Sequence, residues 1–575
     1  MEGPTSRRRR VFAVSNDGVS ERPANRWGTE VTVERVLGAP CRVFVDRPRH
    51  VGDLIRDGRV QPDHTYLIQG ERRLTFAAHE AALATVRDAL EHAGVKPGEA
   101  VMILGANEIE LVTTFWATVR SGAVAVFGNA WWSESEVHAG LEVMKPRVVV
   151  CDEQRARHLP ANVARITYDE LRVATAEGGK VMDRAPAGVD EDSPSVVIFT
   201  SGTTGAAKAA TLSHRGILAT LQCLLVVAKR VPSPGISRRP GSVSLLSLPL
   251  FHIGGLQQII TAMATGGSLV FSEGRFDPAE IVALLRRENV KVWSAVPTMV
   301  SRVLDYLEGT GETLPALRTL GMGGASVSEL VRDRARRAFP QAQKGIGVTW
   351  GLTEAGGAVT TGAGPEIAAR RGSVGRLVST AEIRVDHPNE DGTGEILVRS
   401  PSVMLHYWGT EGSPIDEDRW LRTGDIGWID EDSYVYITDR AKDIIIRGGE
   451  NIAAARVEEE ISRHELVEQV AVVGLPHPDL GEQVGAIVKV RENAVLDLAA
   501  LRATLGLSLA RFEVPTQWWI YPDPLPQNAI GKIVKKDLRS AWIKNLANQV
   551  PPPANKLAPS EGVDTKSPLV EHPDN

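Results

Sequence analysis

The sequence predicts an α/β protein with a large N-terminal α/β domain of several subdomains with mixed sheets, followed by a small α+β domain. Three observations carry this. The chain has 575 residues, too many for one core at roughly 100–200 residues per domain. From about residue 70 onward, short apolar runs alternate with amphipathic helical patterns, as in layered folds with mostly parallel strands. After Tyr434 the pattern changes to short strands, a charged link and a helix over about 100 residues.

Leu74 to Ala93 reads as an amphipathic helix, Ala100 to Leu104 as a buried strand, and Ile109 to Arg120 as the helix that follows it. Val148-Val149-Val150, Val196 to Thr200 and Val243 to Leu248 are further apolar strands. Tyr434 to Thr438 and Ile444 to Ile446 are strands on either side of Asp439-Arg440-Ala441-Lys442-Asp443. A helix around Val457 to His464 and strands around Ala471 to Val473 and Val484 to Val490 complete the small domain. The resulting boundaries are an N-terminal extension over 1–44, a large domain over 45–439, a link at 440–442, a small domain over 443–548 and a tail over 549–575. Pro551-Pro552-Pro553 opens that tail, whose Pro, Ser, Asp and Lys content reads as disordered.

Bulk composition excludes several classes. Hydrophobic content of 43% and charged content of 24% are ordinary for a globular chain. A formal net charge of −6 gives no footprint of a nucleic-acid binder. Cys41, Cys151 and Cys223 have no metal-like spacing and suggest a reducing compartment, hence a cytoplasmic location. Arg7 to Arg10 form a basic run, but the apolar stretch after it is too short for an export signal. No apolar run reaches the roughly 20 residues of a membrane span.

The most informative segment is Thr200-Ser201-Gly202-Thr203-Thr204-Gly205-Ala206-Ala207-Lys208, directly after an apolar strand. Glycines let backbone N–H groups approach an anion, hydroxyls add donors and lysine adds a point charge, a combination that suits a polyphosphate. An ordinary Gly/Ser/Thr turn would look similar. A P-loop is excluded because its Gly-Lys-Ser/Thr must be contiguous, and two alanines separate Gly205 from Lys208. Trp350-Gly351-Leu352-Thr353-Glu354 follows, with a flat π face, a hydroxyl and a hard oxygen donor; a helix start capped by Thr353 is the plainer alternative. Then come Thr423-Gly424-Asp425, the link with Arg440 and Lys442, Gly448-Gly449-Glu450-Asn451-Ile452, and Gly531-Lys532. Each alone reads as a turn or a solvated loop. Six such segments rarely fall in this order by chance.

In this order they resemble the motifs of the adenylate-forming superfamily, which includes acyl-CoA synthetases, peptide-synthetase adenylation domains and luciferases; among these the chain most resembles the fatty-acid–CoA ligases. The resemblance spans roughly residues 45–545. Departures from the usual pattern are Ala207 for proline, Ala209 for glycine, Trp350 for tyrosine, His406 ahead of Tyr407-Trp408, Ser433 for glycine, and Ala454 and Arg456 for proline and glutamate.

The resemblance implies ATP-dependent joining of a carboxylic acid to CoA through an acyl-AMP, with Mg²⁺ as cofactor and no side-chain nucleophile. It implies that Thr200 to Gly205 and Lys208 hold the phosphates, that Trp350, Gly351, Gly324 and Ala325 lie against adenine, and that Asp425 and Arg440 meet the ribose. Thr353 would contact the α-phosphate, Glu354 would hold the metal, and Lys532 would act in adenylation. The small domain would be mobile about Lys442, exchanging the Lys532 face for a CoA face at Gly448 and Gly449. His252, Gly254, Gly255, Met322 and Gly323 would line an apolar, fairly open acyl and CoA pocket suited to a fatty acid, an aryl acid or a steroid-derived acid. Transfer to a carrier protein instead of CoA stays open. A non-catalytic member is weighed against by the presence of Lys532, Glu354 and Asp425. A lipid-like acid would allow contact with a membrane surface, though no basic amphipathic helix demands it. The sequence gives no oligomeric state.

Overall fold

Alternating burial along the central strands explains the layering. Ala100–Leu104 is buried at every position and pairs in parallel with Val124–Phe127 and Val148–Cys151. Side chains on a strand alternate between faces. Val101, Ile103, Val148, Val150, Val196 and Ile198 therefore enter one core, while Met102, Leu104, Val149, Cys151 and Val197 enter another. A sheet covered on both faces needs continuous apolar runs, as these segments have. The computed structural model describes residues 27–58, 61–175, 189–200, 207–232, 240–410, 412–448, 450–528 and 531–547.

This first sheet has seven strands, ending in the antiparallel pair Lys208–Ser213 and His406–Tyr407. The helix Ile109–Arg120 is buried at all 12 positions. Its Phe115 and Trp116 share a core with Val101 and Ile103 of the first sheet and with Tyr66, Leu67, Leu246 and Phe271 of a second, so the helix lies in the layer between two sheets. Trp116 Nε1 donates to Tyr66 Oη at 3.0 Å, and Tyr66 Oη donates to the Ile259 carbonyl at 3.2 Å. This chain leaves neither aromatic polar group orphaned in the layer.

The second sheet is a continuous path of 13 strands. Its centre is parallel, with Val292–Ala295, Thr319–Gly323 and Ile346–Leu352 in register. From Gly357–Ala363 onward it is antiparallel, through Ser373–Leu377, Tyr434–Arg440 and Leu421–Ile429. Tyr434–Arg440 thus stays with the large sheet, and the change of pattern at Tyr434 is the last strand of the large domain. The small domain begins with Ile445–Arg447 and builds a five-stranded sheet around Val467–His477 and Gly481–Val490, with helices Ala454–Ser462, Leu498–Leu505 and Lys535–Ala547. The fold is therefore a large N-terminal domain with mixed sheets and a small α+β C-terminal domain.

Local chemistry trims two expected elements. The helix expected from Leu74 starts at Phe76, because Arg72–Thr75 is an edge strand and Thr75 Oγ1 caps the helix by accepting from the Ala78 N–H at 3.1 Å. The helix expected to reach His464 ends at Ser462. Ahead of residue 45, Val31–Val36 and Ala39–Phe44 form a hairpin. Its Phe44 packs with Val359 and Ile396, so ordered structure attached to the large domain starts before the expected boundary. Arg7–Arg10 and the tail over 549–575 lie outside the described residues.

Candidate active site

The parallel strands of the second sheet end side by side, with Ala295, Gly323 and Trp350 near their carboxyl ends. Open α/β sheets bind ligands along such an edge. Here the strand Ile346–Leu352 runs into a single 3₁₀ turn, Thr353–Ala355, closed by the Gly356 N–H donating to the Thr353 carbonyl at 2.9 Å. Leu352 caps this turn without a side-chain bond, so Thr353 is not spent as a cap. Gly351 is required sterically: a Cβ there would lie 1.8 Å from the Gly357 carbonyl oxygen, across a shift in strand register.

Glu354 meets the polyphosphate segment. Its Oε1 accepts from Thr200 Oγ1 at 3.1 Å and from Tyr407 Oη at 2.9 Å. Two donors fill that oxygen, and no described residue donates to Oε2. Thr200 is the last residue of its strand and pairs directly with Lys208. Lys208 Nζ lies 5.0 Å from the centre of the Tyr407 ring, a cation–π contact. Ser201, Gly202, Thr203, Thr204 and Gly205 lie outside the described residues. Tyr407 was not among the residues expected at the site; its only sequence mark was its place in His406-Tyr407-Trp408. A hard carboxylate oxygen next to hydroxyls fits Mg²⁺, which takes one or two protein carboxylates and completes its shell with phosphate and water. Among the described residues there is no cluster of three or more His, Cys, Asp or Glu placed to hold a metal.

The second half of the site is centred on Asp425, which is 3% exposed. Trp350 Nε1 donates to its Oδ2 at 2.8 Å, and Arg440 Nε lies 2.6 Å from its Oδ1. Asp425 and Arg440 face each other across neighbouring strands. Burial pushes the Asp425 carboxyl above its usual value, against the opposing pull of Arg440, the Trp350 bond and Lys532. Trp350 is buried and packs with Ala355, Val359 and Ile396. Its place in the fold is thus set by its nitrogen as well as by apolar packing.

Lys532 arrives from the small domain, its N–H donating to Asn528 Oδ1 at 2.9 Å. Residues on either side dock on the large domain: Thr298 Oγ1 donates to the Gly531 carbonyl at 3.3 Å, and Arg302 Nη2 donates to Gln527 Oε1 at 3.2 Å. Neither partner was legible from a motif. Lys532 is exposed as a residue; its amine is held below its usual value by desolvation and then by Arg440, against the pull of Asp443 and Asp425. Lys442 is exposed in the link. Gly448 sits at the tip of the first small-domain hairpin, its N–H donating to the Leu480 carbonyl at 2.8 Å; Gly449 lies outside the described residues.

The expected acyl-pocket residues divide. Gly323 ends its strand, and Gly324 and Ala325 follow at the sheet edge. Met322 is 1% exposed and packs with Trp293, Val300 and Val303. The two-residue strand period sends Leu320 and Met322 to the helix side and the intervening glycines to the other face, so Met322 is a core residue and not a pocket wall. His252 precedes the helix Ile253–Thr265; its Nε2 is buried with no partner among the described residues, and burial lowers its ring to about 4. Gly255 packs against backbone, with the Pro249 carbonyl 2.4 Å from where a Cβ would be. Gly254 remains partly open. Asn107, unmarked in the sequence, holds this loop by donating to the Leu248 carbonyl at 2.8 Å and accepting from the Leu250 N–H at 2.9 Å.

With this geometry in hand, comparisons with known proteins are informative. The family profile described as AMP-binding enzyme matches residues 54–408, and that of the AMP-binding enzyme C-terminal domain matches residues 456–532. A feruloyl-CoA synthase of an Amycolatopsis species is 30% identical over 84% of this chain and 97% of its own length. A long-chain-fatty-acid–CoA ligase of Mycobacterium tuberculosis is 29% identical over 82% of this chain and 93% of its own. A 2-succinylbenzoate–CoA ligase of Geobacillus kaustophilus is 30% identical over 83% of this chain and 95% of its own. Among solved structures, ATP-bound MatB from Rhodopseudomonas palustris superposes with a TM-score of 0.76, at 27% identity over 86% of this chain and 99% of that one.

Proposed function

The chain belongs to the AMP-binding enzyme family and is an AMP-forming acid–thiol ligase; from that premise we propose that it joins a carboxylic acid with an uncharged, apolar tail to CoA, with a fatty acid as the leading substrate. The observation that carries this reading is the meeting of two domains at one place. Lys532 of the small domain lies close enough to Asp425 and Arg440 of the large domain for their charges to act on its amine, while Glu354, whose charge also acts on Asp425, is bonded to Thr200, the strand partner of Lys208.

In the proposed first step a substrate carboxylate attacks the α-phosphate of ATP, and pyrophosphate leaves. Such chemistry needs positioning and charge neutralisation more than a protein nucleophile. Asp425 would accept from the ribose hydroxyls, with Arg440 beside it. Lys532 would bridge the carboxylate and the α-phosphate, and Lys208 would meet the outer phosphates. Mg²⁺ held at Glu354 would supply charge neutralisation on the triphosphate. In the second step the CoA thiol attacks the acyl carbon and AMP leaves, after a rotation about Lys442 has brought the Gly448 face forward.

The apolar tail is supported by Gly254, Gly323 and Gly324, which place no charge at the expected acyl site. A second reading, an aryl acid, draws on the relatives that activate ferulate and succinylbenzoate. AMP release across fatty, aryl and steroid-derived acids, with and without CoA, tests both. Turnover of fatty acids with CoA consumption supports the leading reading. Turnover restricted to aryl acids replaces it with the second, and acyl-AMP formation without CoA consumption moves the acceptor to a carrier protein. Among the described residues no helix is long and apolar enough to cross a membrane.

A further inference from the structure

We propose that Tyr407 is a positioning residue that couples the metal-binding carboxylate to the phosphate-binding lysine. The strand His406–Tyr407 runs antiparallel to Lys208–Ser213, with Ala210 opposite Tyr407. Lys208, two residues before Ala210, points to the same face as Tyr407. Lys208 is in turn paired with Thr200 on the next strand. Three adjacent strands therefore present Thr200, Lys208 and Tyr407 together. The Trp408 N–H donating to the Ala209 carbonyl at 2.8 Å and the Leu405 N–H donating to the Thr211 carbonyl at 2.8 Å fix the short strand from both ends.

Tyr407 performs two separable tasks. Its hydroxyl donates to Glu354 Oε1, the same oxygen that takes the Thr200 hydroxyl. With both lone pairs of Oε1 engaged, the carboxylate is turned so that Oε2 is the oxygen left for a hard cation. The Tyr407 hydroxyl is the donor in this contact, because an ionised carboxylate can only accept. Its ring carries the Lys208 ammonium on its face, holding that cation near the start of the phosphate segment.

The role rests on the ATP-dependent ligase reading, and calorimetric ATP binding to the full chain without acid, with and without Mg²⁺, separates the two. Wild type should bind ATP more tightly with Mg²⁺. Tyr407→Phe keeps the ring and loses the hydroxyl; it should bind Mg²⁺-free ATP as wild type does but lose about tenfold of the Mg²⁺-dependent gain, the scale of a hydrogen bond to a charged group. Tyr407→Leu should weaken Mg²⁺-free ATP binding as well, because Lys208 loses its support. Thermal melting establishes that both variants are folded. An undiminished Mg²⁺ gain in Tyr407→Phe overturns the positioning role, as does equal weakening with and without Mg²⁺, which a general packing defect would produce. A wild type that binds no ATP overturns the ligase reading and this role with it.

Discussion

Trp350 and Asp425 lie 75 residues apart in sequence, yet the indole Nε1 donates to the carboxylate Oδ2 at 2.8 Å within a buried part of the large sheet. The bond joins the Trp350–Glu354 and Thr423–Asp425 segments into one unit. A hydrogen bond to a charged, buried group contributes about 1.5–3 kcal/mol. Trp350→Phe should therefore weaken ATP binding about tenfold and lower the melting temperature. Unchanged ATP affinity in a folded Trp350→Phe would separate the two residues functionally.

Lys532→Ala should nearly abolish acyl-AMP formation, measured as pyrophosphate exchange, and spare thioester formation from supplied acyl-AMP. Lys532 lies within electrostatic reach of Asp425 and Arg440 in the present arrangement and would move away in a CoA-accepting one. Equal loss of both half-reactions would sink the division of labour.

Glu354→Gln should raise the Mg²⁺ concentration needed for half-maximal ATP use, since an amide oxygen is a poorer ligand for a hard cation than a carboxylate. The Thr200 and Tyr407 hydroxyls could still donate to the amide oxygen, so the fold should survive. A titration identical to wild type would remove Glu354 from the metal site.

Gly351→Ala tests the turn that presents Thr353 and Glu354. The added methyl would sit 1.8 Å from a backbone oxygen, which no rotamer relieves. A loss of about 3 kcal/mol or more is expected, at the upper end for an overpacked site. A soluble variant with wild-type melting and activity would show that this strand can shift freely.

His79 predicts an acid-sensitive core. It is 1% exposed and stands edge-on to Tyr66 at 4.9 Å, and its Nε2 has no partner among the described residues. Burial lowers its ring to about 3 from an ordinary 6.5. Between those values the unfolded chain binds a proton that the folded chain refuses, so stability falls as pH falls, by about 1.4 kcal/mol per pH unit for this group. Denaturant melts of His79→Phe from pH 6 to 4.5 should show a correspondingly shallower decline. An equal slope would mean that the ring is protonated in place.

The layers and the order of the site segments were legible from the residues alone. A short continuous apolar run such as Ala100–Leu104 has the pattern of a strand buried on both faces, whereas Ile109–Arg120, which carries Glu110, three threonines and Arg120, is enclosed on all sides by its packing. Motif order placed Thr200, Glu354, Asp425 and Lys532 in one functional series, because each segment is local and its residue types carry their own chemistry. The pairings between segments came from the folded arrangement. Tyr407 on Glu354, Trp350 on Asp425, Asn107 on the Leu248–Leu250 loop and Thr298 on Gly531 each join residues 50 or more positions apart. Strand register also assigned Met322 to the core, although its glycine neighbours suggested a pocket. Such contacts depend on which strands lie side by side and which face each side chain takes, and a shift of one residue in register would exchange every one of those faces.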